Sequence, residues 1–409
     1  MSQQERSTEL VSAAHRLAAE FAQGAARRDA QRELAHAEIQ TLARHGILAA
    51  RVPREFGGID LSIAQLCDIY VALGQADPNI AQAIQPHACG VEKIRLYGSP
   101  QQKQRYFALL LEGAMITNAS AEKGGGTVGE ISVVLKRQAA SAASDTSGTW
   151  ILDGDKHYCT GSLFSSHFYS LVRRDDGGRS IVLLPRDRAG VSILDDWDGM
   201  GQRTTASGTV RFDQVQVADD EHMPLPAAGT LRTHEGAFAQ ILHAAIDVGI
   251  ALAAFEDAAR YGRERARPVP EAGVSRASDD PYIQHAVGEM AVLAHGAQAL
   301  LERAARALDG VLPQALSEHA LSGQAAEEAL GRVSIAVAEA KMAANDAALR
   351  TSEMLYRVGG ASLTVRGLNL DRHWRNARTH TTHDPVAYKA KAVGDYYLNG
   401  KLPPITTKI

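Results

Sequence analysis

The stretch TWILDGDKHYCTG (149–161) combines β-branched and aromatic residues with a turn pair, Asp153-Gly154. Comparable short β-rich runs lie on both sides of it: ISVVL (131–135), FYSLVRR (168–174), SIVLLP (180–185) and GTVRFDQVQV (208–217). Such runs, divided by turn pairs such as Gly177-Gly178, are typical of β-strands joined by tight turns. Several short strands at this spacing predict a small sandwich or barrel in the middle of the chain.

Helical patterns flank this central segment. On its N-terminal side, apolar residues recur at roughly helical spacing around 34–47, and Asp77-Pro78 and Ser99-Pro100 are helix-start signals. On its C-terminal side, helix formers without turn residues predict a bundle of long helices over 236–265, 281–309 and 325–358. The sequence therefore predicts a multi-domain α+β protein with an N-terminal α-helical domain (1–116), a central β domain (117–228) and a C-terminal α-helical bundle (229–409).

Composition excludes several classes of protein. The 409 residues are 45% apolar and 22% charged, and their net charge of -4 gives no electrostatic case for binding nucleic acid. The three cysteines have no CxxC spacing, which argues against a disulfide scaffold and fits a reducing cytoplasm. The N-terminus MSQQERSTEL is polar, and no uncharged apolar run approaches the ~20 residues that span a bilayer. We therefore expect a soluble cytoplasmic enzyme that binds neither nucleic acid nor a membrane.

Four motifs resemble, in order and separation, those of the acyl-CoA dehydrogenase family: VPREFGG (52–58), TNASAEKGGGT (117–127), GDKHYCTG (154–161) and YRVGGAS (356–362). The resemblance extends over essentially the whole chain. It implies an N-terminal α-helical domain, a central β-sandwich or barrel and a C-terminal four-helix bundle, with a flavin at their junction. It also implies a homotetramer built on the C-terminal helices.

One departure from that family bears on the reaction. Where the dehydrogenases carry a Tyr-Glu-Gly-Thr segment whose Glu abstracts the substrate α-proton, this chain has His383-Asp384-Pro385-Val386. Asp384 is one methylene shorter than Glu, and Pro385 changes the turn. Proton abstraction requires a base within about 2.6–3.2 Å of its target. The shortened side chain therefore makes α,β-dehydrogenation a poor prediction.

Other segments resemble flavin-dependent monooxygenases of the same fold: RTHTTHDPVAYK (378–389), DDWDGMGQRTTASGT (195–209), SDDPY (278–282) and YYLNGKLPP (396–404). The sulfur-acquisition oxidoreductases are the nearest group, and dibenzothiophene monooxygenase is more distant. The resemblance implies a two-component system, in which a separate NAD(P)H-dependent flavin reductase supplies reduced FMN. O2 then forms a C4a-peroxyflavin that oxygenates a small organosulfur compound. FAD is the alternative cofactor, and the chain shows no G-x-G-x-x-G nicotinamide motif.

The same resemblance assigns catalytic roles to four residues. Thr160 corresponds to the hydroxyl residue that faces the flavin N5, and Asn118 to an asparagine that reaches the flavin and the peroxide. Ser120 shares the face of Asn118 if this stretch is extended, and binds the cofactor too. His87 and His383 correspond to two histidines that line the pocket, and His383 also contacts the flavin. Structural alternatives stay open: a strand threonine bonded to a carbonyl, a plain loop asparagine, and histidines that only satisfy structural hydrogen bonds.

Further residues are assigned to the cofactor and to the substrate pocket. Arg267 corresponds to the arginine that contacts the FMN phosphate, and Arg265 to the one that a neighbouring dehydrogenase subunit offers to the FAD pyrophosphate. Ser207 lies in a loop that flanks the flavin. Tyr158 and Trp197 correspond to aromatic residues that could wall an apolar substrate pocket or belong to the core.

Two other functions compete with the monooxygenase. One is an FAD-dependent acyl-CoA dehydrogenase that uses Asp384 as its base, and the other is a non-catalytic protein that senses flavin or another ligand. His380 and His383 form a His-x-x-His pair, but no third ligand follows at a recognisable spacing, so we expect no metal site.

Overall fold

The computed structural model describes residues 2–124, 127, 129–138, 149–316 and 323–409. Within these ranges the chain forms six α-helices, then eight β-strands, then five more α-helices. Gly125 and Gly126, in the motif TNASAEKGGGT (117–127), lie outside the described residues. The order of helices, strands and helices agrees with the predicted α+β class.

The N-terminal helices begin at local capping residues. Ser62 and Ser99 each form a capping box, and the Asp77 side chain accepts a hydrogen bond from the Asn79 amide ahead of the helix that starts at Pro78. The two predicted helix starts are therefore confirmed. The helices are α1 (Gln3–Ala22), α2 (Ala25–Gln31), α3 (His36–Arg44), α4 (Ile63–Ala76), α5 (Pro78–Tyr97) and α6 (Pro100–Leu111).

The strands form one sheet, in the order β6-β7-β3-β2-β4-β5-β8, with β1 paired parallel to β4. Apolar residues from β2 to β7 share a single core on one face, so the sheet curls around its own interior. The opposite face of β4 and β5 packs against α5 and α6. The strands are β1 (Ile116–Asn118), β2 (Val134–Arg137), β3 (Thr149–Lys156), β4 (His167–Arg174), β5 (Arg179–Pro185), β6 (Val191–Leu194), β7 (Thr209–Ala218) and β8 (His222–Leu225).

One predicted strand is displaced along the chain. The sequence places a strand over 131–135, whereas β2 begins at Val134. The physical reason is Glu122, whose carboxylate accepts the Ser132 amide at 2.8 Å and also the Val133 amide. Those two donors are therefore satisfied by a side chain before ladder pairing begins.

The C-terminal helices pack around α7 and share one core with α1, α4 and α5. Helix α8 runs seven residues beyond the predicted end at Asp309, and it contains Pro313. The helices are α7 (Glu235–Glu264), α8 (Pro281–Leu316), α9 (Gln324–Gly359), α10 (Asp371–Thr381) and α11 (Val386–Asn399).

Helix α7 is the central helix of the molecule. In the described part of the chain it alone is long and apolar enough to cross a membrane, and 89% of its apolar window is buried by protein. It approaches α4 closely, because a Cβ on Gly249 would come within 2.6 Å of the Gln75 backbone nitrogen. The N-terminal and C-terminal helices are thereby held together, and the sheet lies beside them.

Candidate functional site

A cavity of about 510 Å³ lies where the three groups of elements meet. Strands β4 and β5 form one wall, and α5 and α7 form two others. Residues 405–409 close it from the C-terminal side. Three of the predicted site residues line it, namely Asn118, Ser120 and His383. The structure therefore brings together residues that are up to 265 positions apart in the sequence, from 118 to 383.

Asn118 is the best candidate for a ligand contact. It ends β1, where its Cα lies opposite that of Tyr169 in β4, and its side chain lines the cavity. Its Oδ1 atom is buried and has no hydrogen-bond partner among the described residues. A buried acceptor without a partner is costly, so this atom fits a ligand that carries an N–H group. Ser120, two residues on, accepts the Leu171 amide at 3.3 Å.

His383 stacks on a second histidine at the cavity wall. The side chain of His383 is 46% exposed, and its ring centroid lies 4.4 Å from that of His243 on α7. His243 is buried and also lines the cavity. Burial lowers the pKa of His243 well below its ordinary value, and the neighbouring His383 and His380 lower it further. His243 is therefore neutral at pH 7.

A buried ionic network supports this histidine pair from behind. His380 lies 3.1 Å from His243 Nδ1 and 2.6 Å from Asp247 Oδ1, and Lys341 lies 2.5 Å from the other Asp247 oxygen. Burial alone would raise the pKa of Asp247, but His380 and Lys341 hold it below its ordinary value. Because a carboxylate only accepts, His380 donates from Nδ1 to Asp247. Its Nε2 lies between His243 Nδ1 at 3.1 Å and Gln82 Oε1 at 3.0 Å. The network thus fixes the position of the His380 ring behind His243.

Sequence reasoning missed His243, Asp247 and Lys341. The available signal was in α7, where His243 and Asp247 are polar residues four positions apart in an otherwise apolar stretch. That spacing places them on one face of a helix.

Asp384 is held as a counter-ion. Its carboxylate is buried, 2.8 Å from Lys408 Nζ and 3.2 Å from His383 Nδ1. Burial opposes ionisation, but His383 and Lys408 hold the pKa of Asp384 far below its ordinary value. Among the described cavity-lining residues Asp384 does not appear. Neither of its oxygens has a hydrogen-bond partner in the described structure, so charge alone holds this carboxylate in place. Because it lies outside the described lining, Asp384 is not placed to abstract a proton from a substrate in the cavity.

Thr160 belongs to a chain of hydroxyl groups next to Gly161. Its Oγ1 lies 2.8 Å from Ser207 Oγ, which lies 2.7 Å from Thr205 Oγ1, which donates to the Gln202 carbonyl at 2.9 Å. A hydroxyl has one proton. Thr205 uses its proton on the carbonyl, so Ser207 donates to Thr205 and Thr160 donates to Ser207. Thr160 Oγ1 is therefore left with lone pairs only, as an acceptor.

Tyr158 and Trp197 meet each other beside this chain. Their rings make an edge-to-face contact with centroids 6.3 Å apart, and Trp197 Nε1 donates to the Gln202 carbonyl at 2.7 Å. The same carbonyl accepts from Thr205. Tyr158 is exposed, with a φ of 54°, and Lys123 lies over its ring. The aromatic pair thus accompanies the Thr160 cluster, outside the described lining of the cavity.

His87 lies away from the cavity. Its Nε2 bonds the Leu48 carbonyl at 2.7 Å, and its Nδ1 accepts the Ile116 amide at 3.1 Å. Burial lowers its pKa to about 4. Both ring nitrogens are used on the backbone, which favours the structural alternative that the sequence left open.

Arg265 and Arg267 are exposed beyond the end of α7 and are not brought together with the other predicted residues. Neither forms an ion pair within the described part of the chain. In those same residues, no group of three or more His, Cys, Asp or Glu side chains is placed to hold a metal ion.

These features define a protein of the acyl-CoA dehydrogenase fold, in which polar and apolar side chains line the cavity and Asp384 lies outside that lining. Models of the N-terminal, middle and C-terminal domains of acyl-CoA dehydrogenase match residues 4–114, 119–215 and 241–387. Butyryl-CoA dehydrogenase from Megasphaera elsdenii, at 19% identity, shares this fold with a TM-score of 0.80.

The more similar relatives are oxygenases. The chain is 32% identical to dibenzothiophene monooxygenase from Rhodococcus qingshengii, covering 96% of this chain and 94% of the relative. It is also 32% identical to a probable FMNH2-dependent monooxygenase, SfnC, from Pseudomonas putida, covering 95% of each. The solved structure of methanesulfinate monooxygenase MsuC from Pseudomonas fluorescens superposes with a TM-score of 0.86 at 30% identity, over 98% of this chain and 99% of that one. The chain belongs to the family of flavin-dependent monooxygenases with the acyl-CoA dehydrogenase fold, as its motifs predict.

Proposed function

We propose that this protein is a two-component monooxygenase that uses reduced FMN and O2 to oxygenate a small organosulfur compound. The single observation that carries the proposal is Asp384. Where a dehydrogenase needs a free base, this carboxylate is ion-paired to Lys408 and His383. The relatives act, by name, on a thiophene and on a sulfinate, and one depends on FMNH2.

The residues present fit a reduced flavin. Asn118 Oδ1 and Thr160 Oγ1 are both acceptors to which no protein group of the described structure donates. The reduced isoalloxazine carries N–H groups that its oxidised form lacks, and these could donate to them. Ser120 and Ser207 flank these two residues. When bound, reduced FMN supplies the electrons that activate O2 for transfer of one oxygen atom. We propose that it lies at the junction of the three domains, 1–116, 117–228 and 229–409, and FAD remains the alternative cofactor.

The chain's own groups orient the reactants and move protons. The Nδ1 atom of His383 lies 3.2 Å from the Asp384 carboxylate, and the side chain is 46% exposed at the cavity wall. We propose that this ring passes a proton there. His243 supports its ring from behind. We propose that Tyr158 and Trp197 exclude water from the reacting atoms. His87 acts as a positioning residue, because it ties Ile116 at the start of β1, the strand that carries Asn118.

Arg265 and Arg267 need a second copy of the chain to take part. Both are exposed. We propose a cytoplasmic homotetramer in which they reach the flavin phosphate of a neighbouring subunit, where guanidinium groups pair well with phosphate oxygens.

Product formation with a flavin reductase tests this function. The purified protein, NADH, FMN and a reductase are supplied with a thioether, a sulfone or an alkanesulfinate, and the products are measured by mass spectrometry. We expect an oxygenated product that requires the reductase. Asn118→Ala should weaken binding of reduced FMN by about tenfold, whereas Asn345→Ala, a buried asparagine outside the cavity, should leave it unchanged.

Two results would favour the competing functions. Bleaching of a tightly bound flavin by an acyl-CoA, without oxygen, would indicate a dehydrogenase. Flavin binding without product from any sulfur compound would indicate a sensor.

A further inference from the structure

Cationic side chains outnumber acidic ones among the described residues that line the cavity. The cations are Lys93, Arg179, Arg232 and Lys408, and the one acidic side chain is that of Glu235. Three of the cations have acidic partners: Lys93 pairs with Glu235, Arg232 with Glu327 and Lys408 with Asp384. Arg179 is the cation that remains, because no carboxylate of the described chain lies within 4.0 Å of it.

Glu235 forms no ion pair with Arg179 in the described structure, because other groups hold its carboxylate. One of its oxygens contacts Lys93, and the other accepts the Tyr97 hydroxyl at 2.8 Å. Both oxygens are therefore already engaged. Lys93 and Tyr97 lie on α5, and their bonds hold the Glu235 carboxylate against that helix.

Arg179 is placed to meet a ligand. It is the first residue of β5 and lines the cavity with Ile181, two residues on and on the same face of the strand. Its Nη2 donates to the Pro226 carbonyl at 2.9 Å, which fixes the guanidinium at the edge of the cavity. Its Nε is buried and has no hydrogen-bond partner in the described structure. A buried, charged donor without an acceptor is costly unless a ligand supplies one.

We propose that Arg179 is an oxyanion subsite, and that the physiological substrate is a small organosulfur anion rather than a neutral thioether or sulfone. The planar guanidinium presents two parallel donors, which match two oxygens of a sulfinate or sulfonate group. Apolar neighbours such as Leu171 and Leu225 suit a short alkyl chain beside that group. The inference deepens the proposed function and rests on it for the identity of the reaction, but not for the binding.

Two probes of the same shape test the subsite. Methanesulfonate and dimethyl sulfone are both tetrahedral at sulfur and of similar size, and only the first is charged. Isothermal titration of the flavin-free protein should show methanesulfonate binding at least about tenfold more tightly than the sulfone. Arg179→Gln should remove that preference and leave sulfone binding unchanged, while Arg179→Lys should retain part of it because the positive charge remains.

A neighbouring arginine provides the matched control. Arg173 lies opposite Arg179 on the adjacent strand, is exposed, and is not part of the described cavity lining. Arg173→Gln should leave both affinities unchanged. Equal losses in Arg173→Gln and Arg179→Gln would overturn the proposal, as would equal binding of the two probes by the unaltered protein.

The flavin phosphate is the other oxyanion that could occupy the subsite. If Arg179→Gln weakens binding of FMN but not of riboflavin, and leaves methanesulfonate binding unchanged, Arg179 serves the cofactor and the substrate proposal is wrong. Because these titrations need no turnover, they are separate from the test of function. Anion binding at Arg179 together with failure to oxygenate any sulfur compound would contradict the function and leave the subsite standing.

Discussion

Replacing Ser207 by alanine tests whether the site prefers reduced flavin. The Ser207 hydroxyl accepts a hydrogen bond from Thr160, because it donates its own hydrogen to Thr205. If Thr160 faces the flavin N5, it presents lone pairs to that atom, which suits the N–H of the reduced ring and not the bare nitrogen of the oxidised one. Ser207→Ala removes the acceptor, so the Thr160 hydroxyl becomes free to turn and donate. Discrimination in favour of reduced FMN should then fall.

The size of the effect follows from one hydrogen bond. A neutral hydrogen bond contributes about 0.5–1.5 kcal/mol net, so the ratio of the two dissociation constants should change by roughly 2- to 13-fold. For a two-electron couple, in which 30 mV corresponds to about 1.4 kcal/mol, the midpoint potential of bound FMN should become more negative by about 10–30 mV.

The assay is a pair of titrations, one of oxidised FMN in air and one of reduced FMN without oxygen, each followed by flavin fluorescence or absorbance. Ser165→Ala is the matched control, because this buried serine donates to the Ser162 carbonyl and takes no part in the hydroxyl chain. The ratio isolates the direction of the bond from any general loss of affinity. An unchanged ratio in Ser207→Ala, or a shift towards reduced FMN, would refute the reasoning.

Three further predictions concern stability. The pKa of His87 is about 4 in the folded protein and about 6.5 in the unfolded chain. As pH falls between these values, the unfolded state binds a proton that the folded state does not bind. The free energy of unfolding should therefore fall, by up to about 3 kcal/mol at pH 4. His87→Gln, which keeps a donor and an acceptor, should flatten that dependence in urea unfolding between pH 7 and 4; an unaltered slope would mean that His87 titrates normally. Lys341→Met should lower the free energy of unfolding by about 3–5 kcal/mol, because it leaves the buried Asp247 charge without a cation. Arg303→Met, which breaks an exposed ion pair with Glu339, should lower it by under about 1 kcal/mol. Similar losses in the two variants would contradict the network. Gly161 has a φ of 81°, and a Cβ at this position would lie 2.5 Å from the Ala83 carbonyl oxygen. Gly161→Ala should therefore lower the melting temperature by several degrees and weaken flavin binding. Unchanged melting and unchanged binding would show that the loop tolerates a side chain.

Local chemistry made much of the fold predictable. Asp77 and Ser99 start helices because capping depends on residues within three positions of each other. The strand runs likewise carry their own pattern. The displaced start of β2 could not be read in the same way, because it depends on Glu122, ten residues away from the amide it accepts.

The site itself depends on contacts between distant parts of the chain. Motifs point to Asn118 and His383, which both line the cavity. No motif points to His243, because its partner His380 is 137 residues away and Lys341 is 94 residues from Asp247. No local pattern reports such pairs.

Residues 405–409 line the cavity because they pack against distant elements, and no motif in the sequence predicts that position. The structure brings Arg265 and Arg267 to no other predicted site residue, so their role stays a prediction.

The central claim is that O2 delivers one of its atoms to a sulfur compound, and isotope labelling tests it most directly. We mix the protein with reduced FMN and a sulfur substrate such as an alkanesulfinate under ¹⁸O2. Mass spectrometry then gives the ¹⁸O content of the product. One ¹⁸O atom per molecule of product is expected, with none taken from labelled water. Product oxygen that comes from water, or reduced flavin that is fully reoxidised to give hydrogen peroxide and no oxygenated sulfur compound, would contradict it.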